Sequence, residues 1–162
     1  MPETGKKNSI AKLFGALAVT AAAAVIAGLF SMNAKEVYGT LKMPAFAPPA
    51  ALFAPVWIVL YLLMGISLFL VIRHGLKTPG VKSAVSYFIL QLFFNVLWSL
   101  LFFTLGLRVA ALADILILFF YILITIFKFH RIDKTAAYLL IPYLVWVAYA
   151  SVLNLAIVVL NG

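Results

Sequence analysis

Polar and aromatic side chains recur at helical spacing within one long apolar segment of the chain. Gln91, Asn95 and Trp98 follow one another at intervals of four and three residues, so on a helix they share one face. Polar groups inside a bilayer are costly unless they are paired, which makes these side chains the first candidates for function. Amide groups beside an indole ring suit a flat, largely apolar ligand with polar edges.

Two other apolar segments carry side chains of the same kinds. Trp57 and Tyr61 are one helical turn apart, and a later segment, which follows Pro142, has a stripe made of Tyr143, Trp146, Ala150 and Asn154. Counted from the segment ends, these groups lie at comparable depths, so we expect them to converge in a cavity in the outer half of a helical bundle. The alternative is structural, because Trp and Tyr are common at membrane interfaces and Asn often joins helices by hydrogen bonds. That alternative is favoured for Asn95 and Asn154, and it stays open for Trp57 and Trp146.

The sequence offers no candidate residues for hydrolysis, group transfer or metal binding. The chain has no cysteine, and it shows no paired carboxylates, no nucleophile beside a base, no phosphate-binding glycine loop and no metal-ligand spacing. His74 and His130 stand beside basic residues with no second ligand nearby, which disfavours haem ligation. Asp114 is the one acid within an apolar segment, and we expect it to stabilise the start of its helix or to pair with Arg108 rather than to couple protons. No catalytic residue, metal or obligatory cofactor is therefore predicted.

The composition requires a membrane as the solvent. Of the 162 residues, 67% are apolar and 10% are charged, against roughly 45–50% and about 25% in soluble domains. The net charge is +8, yet no concentrated basic helix is present that could follow the phosphates of a nucleic acid. We therefore expect a lipid bilayer, and no nucleic acid, as the partner of this surface.

Five apolar runs, with Asp114 as the one charged residue inside them, are long enough to cross a bilayer as helices, at about 13–32, 52–72, 84–105, 109–127 and 136–160. They lack the period-two alternation of barrel strands, so we predict an all-α membrane protein with one domain, 1–162, built as a five-helix bundle. The first run could instead be a signal peptide, but its length favours a retained helix. Small residues on that run suit close packing against a neighbour, namely Gly15, Ala18, Ala22 and Gly28.

The basic residues predict an orientation. Nine of the twelve fall on one side of the predicted topology, namely Lys6, Lys7, Lys12, Arg73, Lys77, Lys82, Lys128, Arg131 and Lys134. The positive-inside rule then places the N-terminus inside and the C-terminus outside. The connection 33–51 contains Pro44, Pro48 and Pro49, so it cannot be a continuous helix, and we expect an ordered external loop.

Several motifs together resemble one family. They are VYGTLKMPAFAPP at 37–49, FAPVW at 53–57, QLFFNVLWS at 91–99, ALAD at 111–114, LIPYLVW at 140–146 and ASVLN at 150–154. In this order and spacing they are similar to the signature of the TspO, or translocator-protein, family, also called tryptophan-rich sensory proteins or peripheral-type benzodiazepine receptors. The resemblance implies five transmembrane helices, often in homodimers.

The resemblance also implies a function. Family members bind porphyrins such as protoporphyrin IX, and isoquinoline or benzodiazepine-like drugs, in a pocket between the helices that the first loop closes. The positions that match the family's pocket are Phe46 in the loop, Trp57, Tyr61, Gln91, Asn95, Trp98, Trp146 and Ala150. Phe46 stands where the family usually has Trp. The porphyrin is implied as a ligand rather than a cofactor, and a bacterial cell membrane is the expected location.

Three functions remain open from the sequence. The first is a receptor or transporter-like protein for tetrapyrroles, with a role in stress sensing or porphyrin regulation. The second is a light-dependent porphyrin-degrading catalyst, in which Trp57 and Trp146 would take part. The third is a structural or partner-binding membrane protein. Binding is easier to support than transport, because the sequence shows no inverted repeat and no ion site.

Overall fold

The computed structural model describes residues 2–162, which contain helices and no strand. The helices are α1 (Pro2–Phe30), α2 (Ala34–Thr40), α3 (Phe53–Ile72), α4 (Val81–Ser99), α5 (Arg108–His130), α6 (Lys134–Leu139) and α7 (Ile141–Asn161). A single 3-10 turn, Ala50–Leu52, leads into α3, and a π-helical turn, Leu100–Thr104, continues α4.

Five helical segments are long and apolar enough to cross a membrane, which confirms the predicted number and order of spans. They are Glu3–Phe30, Ala50–Ile72, Val81–Thr104, Arg108–His130 and Lys134–Asn161. Most of them extend beyond the predicted apolar runs, because charged residues can continue a helix once it has left the hydrocarbon core. Large apolar side chains such as Phe14, Phe120 and Phe127 are exposed on the outer surface of the bundle, where lipid replaces water.

α1 and α3 pack closely because α3 has a glycine at their contact. A Cβ atom on Gly65 would lie 2.7 Å from both Leu17 Cδ2 and Thr20 Oγ1. The buried stripe of α1 consists of Ala16, Thr20, Ala23 and Ala27. The predicted packing face of α1 was wrong, since Gly15, Ala18, Ala22 and Gly28 are exposed. Small residues occur on every face of α1, so their presence alone did not identify the face that packs against α3.

The fifth span is interrupted near its start, at Pro142. α6 ends at Leu139, and α7 begins at Ile141 with Pro142 in its first turn. Proline has no N–H to donate to the carbonyl of Tyr138, so the α-helical ladder is broken there. It resumes where the N–H of Leu144 donates to the carbonyl of Leu140 at 3.0 Å.

The long connection between α1 and α3 is ordered and is held by α7. It contains α2 and the 3-10 turn, and it is not a continuous helix, as predicted. The side chain of Asn161 makes two hydrogen bonds to the backbone of Lys42. The N–H of Lys42 donates to Asn161 Oδ1 at 2.9 Å, and Asn161 Nδ2 donates to the carbonyl of Lys42 at 3.1 Å. The hydroxyl of Tyr149 donates to the carbonyl of Phe46 at 2.6 Å. The connection therefore forms a fixed cover over one end of the bundle.

The π-helical turn, which the sequence did not reveal, joins α4 to this same end. Its residue Thr104 donates from Oγ1 to the carbonyl of Phe30 at 2.8 Å. Asn33 Nδ2 donates to the carbonyl of Phe103 at 3.1 Å. Both bonds attach the end of α4 to the end of α1, so these two helices and the cover are positioned together.

Candidate functional site

Four buried polar side chains, drawn from α3, α4 and α7, form one hydrogen-bonded chain, called the polar network below. The hydroxyl of Tyr61 donates to Asn95 Oδ1, and Asn95 Nδ2 donates to the hydroxyl of Tyr143 at 2.9 Å. Tyr143 in turn donates to Gln91 Oε1 at 2.7 Å, and Gln91 Nε2 lies 3.9 Å from Met64 Sδ as a weak donor. Each polar group is thus partnered within the protein, as buried polar groups require.

Trp98 is held by a second set of contacts between α4 and α7. Its indole Nε1 donates to Asn154 Oδ1 at 3.0 Å, and Asn154 Nδ2 donates to the carbonyl of Arg108 at 3.0 Å. The ring of Trp98 stacks on Phe102 with the centroids 5.1 Å apart, and it meets Phe103 edge-on at 5.7 Å. The orientation of this indole is therefore fixed from two sides.

A cavity of about 370 Å³ lies between α1, α3 and the end of α4, beneath the cover. Its aromatic wall consists of Phe53, Trp57, Tyr61, Trp98 and Phe103, and α1 contributes Ala24, Ala27, Gly28 and, just beyond its end, Ser31. Ala34, Ala50, Ala54, Ile58 and Ser99 complete the lining, so none of the described residues that line it is charged. The volume lies within the range of roughly 300–1,000 Å³ that is typical of ligand sites.

The cavity reaches the outer surface of the bundle between α1 and α3. Gly28, Ala54 and Ile58 line it and are also exposed on that surface. All three belong to the membrane-spanning segments Glu3–Phe30 and Ala50–Ile72. The opening of the cavity therefore lies between two segments that are long and apolar enough to span a membrane.

The structure brings three of the predicted ligand residues, Trp57, Tyr61 and Trp98, to the wall of this cavity. Gln91 and Asn95 lie behind that wall, in the polar network, with exposed fractions of 1% and 2%. The spacing correctly predicted that Gln91, Asn95 and Trp98 share a buried face. Trp98 on that face lines the cavity, whereas Gln91 and Asn95 belong to the polar network.

The other three predicted ligand residues do not line the cavity. Trp146 borders a shallow apolar groove between α3 and α7, and its ring centroid lies 5.8 Å from that of Phe53 and 5.6 Å from that of Tyr149. Its indole nitrogen is buried and has no hydrogen-bond partner within residues 2–162. Ala150 is buried in the helix packing, and Phe46 is half exposed in the cover, with its ring against Tyr149.

Two parts of the site were missed in the sequence. Tyr143, with no exposed surface, lies at the centre of the polar network, although it was noted only as part of a stripe. The second missed part is the side of the cavity that α1 forms. It contains no aromatic or amide side chain, because Ala24, Ala27 and Gly28 contribute to it by their small size. No pattern of polar residues could have revealed them.

Asp114 does not pair with Arg108, which excludes one of the two structural roles expected for it. Both carboxylate oxygens of Asp114 are buried and lack a hydrogen-bond partner among the described residues. On an α-helix a separation of six residues places two side chains about 120° apart, which prevents the pairing. The guanidinium of Arg108 instead lies over the ring of Phe102 at 5.8 Å and donates to the carbonyl of Gly106 at 3.3 Å.

An ion-pair cluster joins two connections at the opposite end of the bundle. Asp133 Oδ2 lies 2.9 Å from Arg73 and 3.5 Å from His74, and Asp133 Oδ1 accepts from the N–H of Ala136 at the start of α6. Partial burial raises the pKa of Asp133, but the hydrogen bonds from Ala136, Arg73 and His74 and the charge of Arg73 outweigh it, so the pKa lies below its ordinary value. The cluster is far from the cavity and serves to hold the helix ends together.

The fold and the cavity together define a class, a multi-pass helical membrane protein with a ligand-sized cavity inside the bundle. The sequence matches the model of the TspO/MBR family over residues 16–160. The chain therefore belongs to the TspO/MBR family, as the motifs predicted.

Relatives from distant organisms share most of the chain. The tryptophan-rich protein TspO of Chlorobaculum tepidum is 43% identical over 124 residues, which cover 76% of this chain and 78% of that protein. Its counterpart in Archaeoglobus fulgidus is 36% identical over 155 residues, 95% of this chain and 99% of its own length. The translocator protein of Bos taurus is 33% identical over 119 residues, 72% of this chain and 70% of its own.

Proposed function

We propose that the protein is a membrane receptor that binds flat, largely apolar aromatic molecules in the cavity between α1, α3 and α4. The ligands would include tetrapyrroles such as protoporphyrin IX and compounds of the isoquinoline or benzodiazepine type. The observation that carries the proposal is the aromatic wall of Trp57, Tyr61 and Trp98 around an uncharged space. Such a wall offers stacking and edge contacts to a planar ring.

The size of the cavity determines how each ligand would fit. A volume of about 370 Å³ is near the lower end of the range for drug-sized ligands, so a compact two- or three-ring molecule would fit inside it. A tetrapyrrole is larger, and the opening beside Ile58 provides room for part of its ring. Its charged propionates would stay outside the uncharged lining, because burying an unpaired charge is costly. Lys35, which directly follows the lining residue Ala34, is exposed and lies in the cover.

The biological setting is part of the same proposal. We place the protein in a bacterial cell membrane, with the N-terminus inside and the cover outside, because nine of the twelve basic residues lie on the N-terminal side. A homodimer is part of this proposal, by resemblance to the family. The role we favour is sensing of porphyrins or of stress, since binding needs the cavity alone.

The test is a titration of the detergent-purified protein with protoporphyrin IX in the dark, followed by quenching of tryptophan fluorescence. Two of the three tryptophans, Trp57 and Trp98, are in the cavity wall, so occupancy should quench most of the signal. Ala24→Phe places a ring inside the cavity and should abolish saturable quenching. An isoquinoline carboxamide should compete with the porphyrin in the wild-type protein.

The matched control is Ala21→Phe, which adds the same ring to the exposed side of α1. It should bind the porphyrin as the wild type does. Equal binding by Ala24→Phe and Ala21→Phe would exclude the cavity as the site, and absence of saturable quenching in the wild type would exclude the proposed ligand.

A further inference from the structure

Five serine and threonine side chains are buried within residues 2–162, and four of them donate to a backbone carbonyl. Thr20 donates to Leu17 at 3.2 Å, and Ser67 to Ala136, Thr125 to Tyr121 and Ser151 to Val147, each at 2.7 Å. This is the usual way in which a hydroxyl is satisfied inside a membrane helix. The fifth, Ser99, is 7% exposed and makes no hydrogen bond to any described residue.

Ser99 differs from the other four in where it lies. It lines the cavity, and it is the last residue of α4 before the π-helical turn Leu100–Thr104. π-Helical turns are frequent at functional sites, because the extra residue changes which side chains face inward. The unpartnered hydroxyl is therefore next to the space that a ligand would fill.

The lining restricts the kind of group that could bond Ser99. The described lining residues carry no charge, so a carboxylate brought to this point would have no counter-ion. A neutral acceptor such as a ketone or amide carbonyl needs no counter-ion and would take up the free hydroxyl donor.

We infer that Ser99 is a specificity-determining residue of the cavity, which donates a hydrogen bond to a neutral carbonyl on an otherwise apolar, planar ligand. This inference rests on the proposed function, and it narrows the ligand class of the same site. The aromatic wall holds the ring, and Ser99 distinguishes ligands by whether they present an acceptor to it. A tetrapyrrole would bind here through its ring and not through its propionates.

The test compares two planar three-ring molecules that differ in a single group. 9-Fluorenone has a carbonyl where fluorene has a methylene, and neither molecule is charged. Affinities are measured by equilibrium dialysis of the detergent-solubilised protein against empty micelles, which cancels the partition of each probe into detergent. Ser99→Ala should weaken the binding of fluorenone by about fivefold, which corresponds to one neutral hydrogen bond, and should leave fluorene unchanged to within about twofold.

Ser151→Ala is the matched control, because it removes a buried hydroxyl that is bonded to its own helix and does not line the cavity. It should bind both probes as the wild type does. If Ser99→Ala weakens both probes equally, Ser99 only shapes the cavity and the inference is wrong. A preference for fluorenone that survives Ser99→Ala also overturns it and moves the donor elsewhere, for example to the indole of Trp57. If the wild type binds neither probe, the proposed function fails as well.

Discussion

Tyr61 stands between two regions of the bundle that use their polar groups in opposite ways. On the side of α4 and α7, the polar network satisfies the hydroxyls of Tyr61 and Tyr143 and the amides of Asn95 and Gln91 within the protein. On the side of α1, the cavity has apolar walls and the unpartnered hydroxyl of Ser99. The comparison teaches that the polar side chains of the network serve structure because their hydrogen bonds are made within the protein, whereas Ser99 has a free donor beside the cavity.

The strongest test of this comparison is Asn95→Ala. The substitution leaves Tyr61 and Tyr143 without their shared partner, so we expect a loss of about 2 kcal/mol or more in the free energy of unfolding. The loss is measured as a lower thermal midpoint in detergent. The folded protein should still bind the isoquinoline carboxamide, because Asn95 does not line the cavity.

Phe93→Ala is the control on the same helix, since Phe93 is exposed toward lipid. It should change the thermal midpoint little. If Asn95→Ala were as stable as Phe93→Ala and had lost the ligand, Asn95 would belong to the binding site and the division between the two regions would be wrong.

The second test changes the close contact between α1 and α3, the two helices that line the cavity on either side of its opening. Gly65→Ala introduces a Cβ that would lie 2.7 Å from Leu17 and Thr20 and 3.3 Å from the backbone of Leu17, so α1 must move away from α3. Overpacking of this kind costs roughly 1–3 kcal/mol, and we expect both the thermal midpoint and the ligand affinity to fall. Gly15→Ala, where a Cβ meets nothing within 4 Å, should change neither. Unchanged affinity in a destabilised Gly65→Ala protein would show that the α1 wall does not shape the site.

The third test concerns the residue that the two regions share. Tyr61→Phe keeps the ring in the cavity wall but removes the hydroxyl that donates to Asn95, so the free energy of unfolding should fall by about 1 kcal/mol. Ligand affinity should stay within about twofold of the wild type, because the stacking surface is kept. Equilibrium unfolding and the carboxamide titration measure the two effects. A large loss of affinity at unchanged stability would show that the hydroxyl of Tyr61 binds the ligand and does not stabilise the fold.

The smallest effect is expected at the far end of the bundle, where Asp133 pairs with Arg73 and His74. Because the pKa of Asp133 is lower in the folded protein, its pairing stabilises the fold at pH values above the ordinary pKa of 3.8. This contribution is lost as the pH falls below that value. Asp133→Asn keeps the cap on α6, since Asn is an equally good N-cap, and should cost at most about 1 kcal/mol at neutral pH.

Thermal midpoints of the wild type and Asp133→Asn, measured between pH 6 and pH 3, check this prediction. The two curves should converge at the acidic end. Ligand affinity should be the same in both proteins, because the cluster does not touch the cavity. A gap between the midpoints that stays constant with pH would mean that the charge of Asp133 contributes nothing.

Much of this architecture could be predicted from the sequence, because the bilayer imposes simple requirements. The length and polarity of the apolar runs predicted five helices, and the last span breaks at Pro142, whose position the sequence displays. The helical spacing of Gln91, Asn95 and Trp98 predicted a shared buried face. These features depend on local composition and periodicity, which a single sequence displays directly.

The arrangement of the site depended on contacts between distant segments, which the sequence does not display. Whether Asn95 is free or bonded is decided by Tyr61 and Tyr143, which lie 34 and 48 residues away along the chain. The π-helical turn follows Ser99 without any proline or glycine to mark it. Which face of α1 packs against α3 was decided by Gly65, on the other helix.

The two-way bond between Asn161 and Lys42 has a practical consequence for labelling. The side chain that holds the cover belongs to the residue just before Gly162, so an affinity tag or fluorescent protein joined directly after Gly162 would pull on the cover. A ligand affinity measured on such a fusion would then report partly on the tag. Attachment at the other end of the chain, ahead of the charged start of α1, leaves this bond intact.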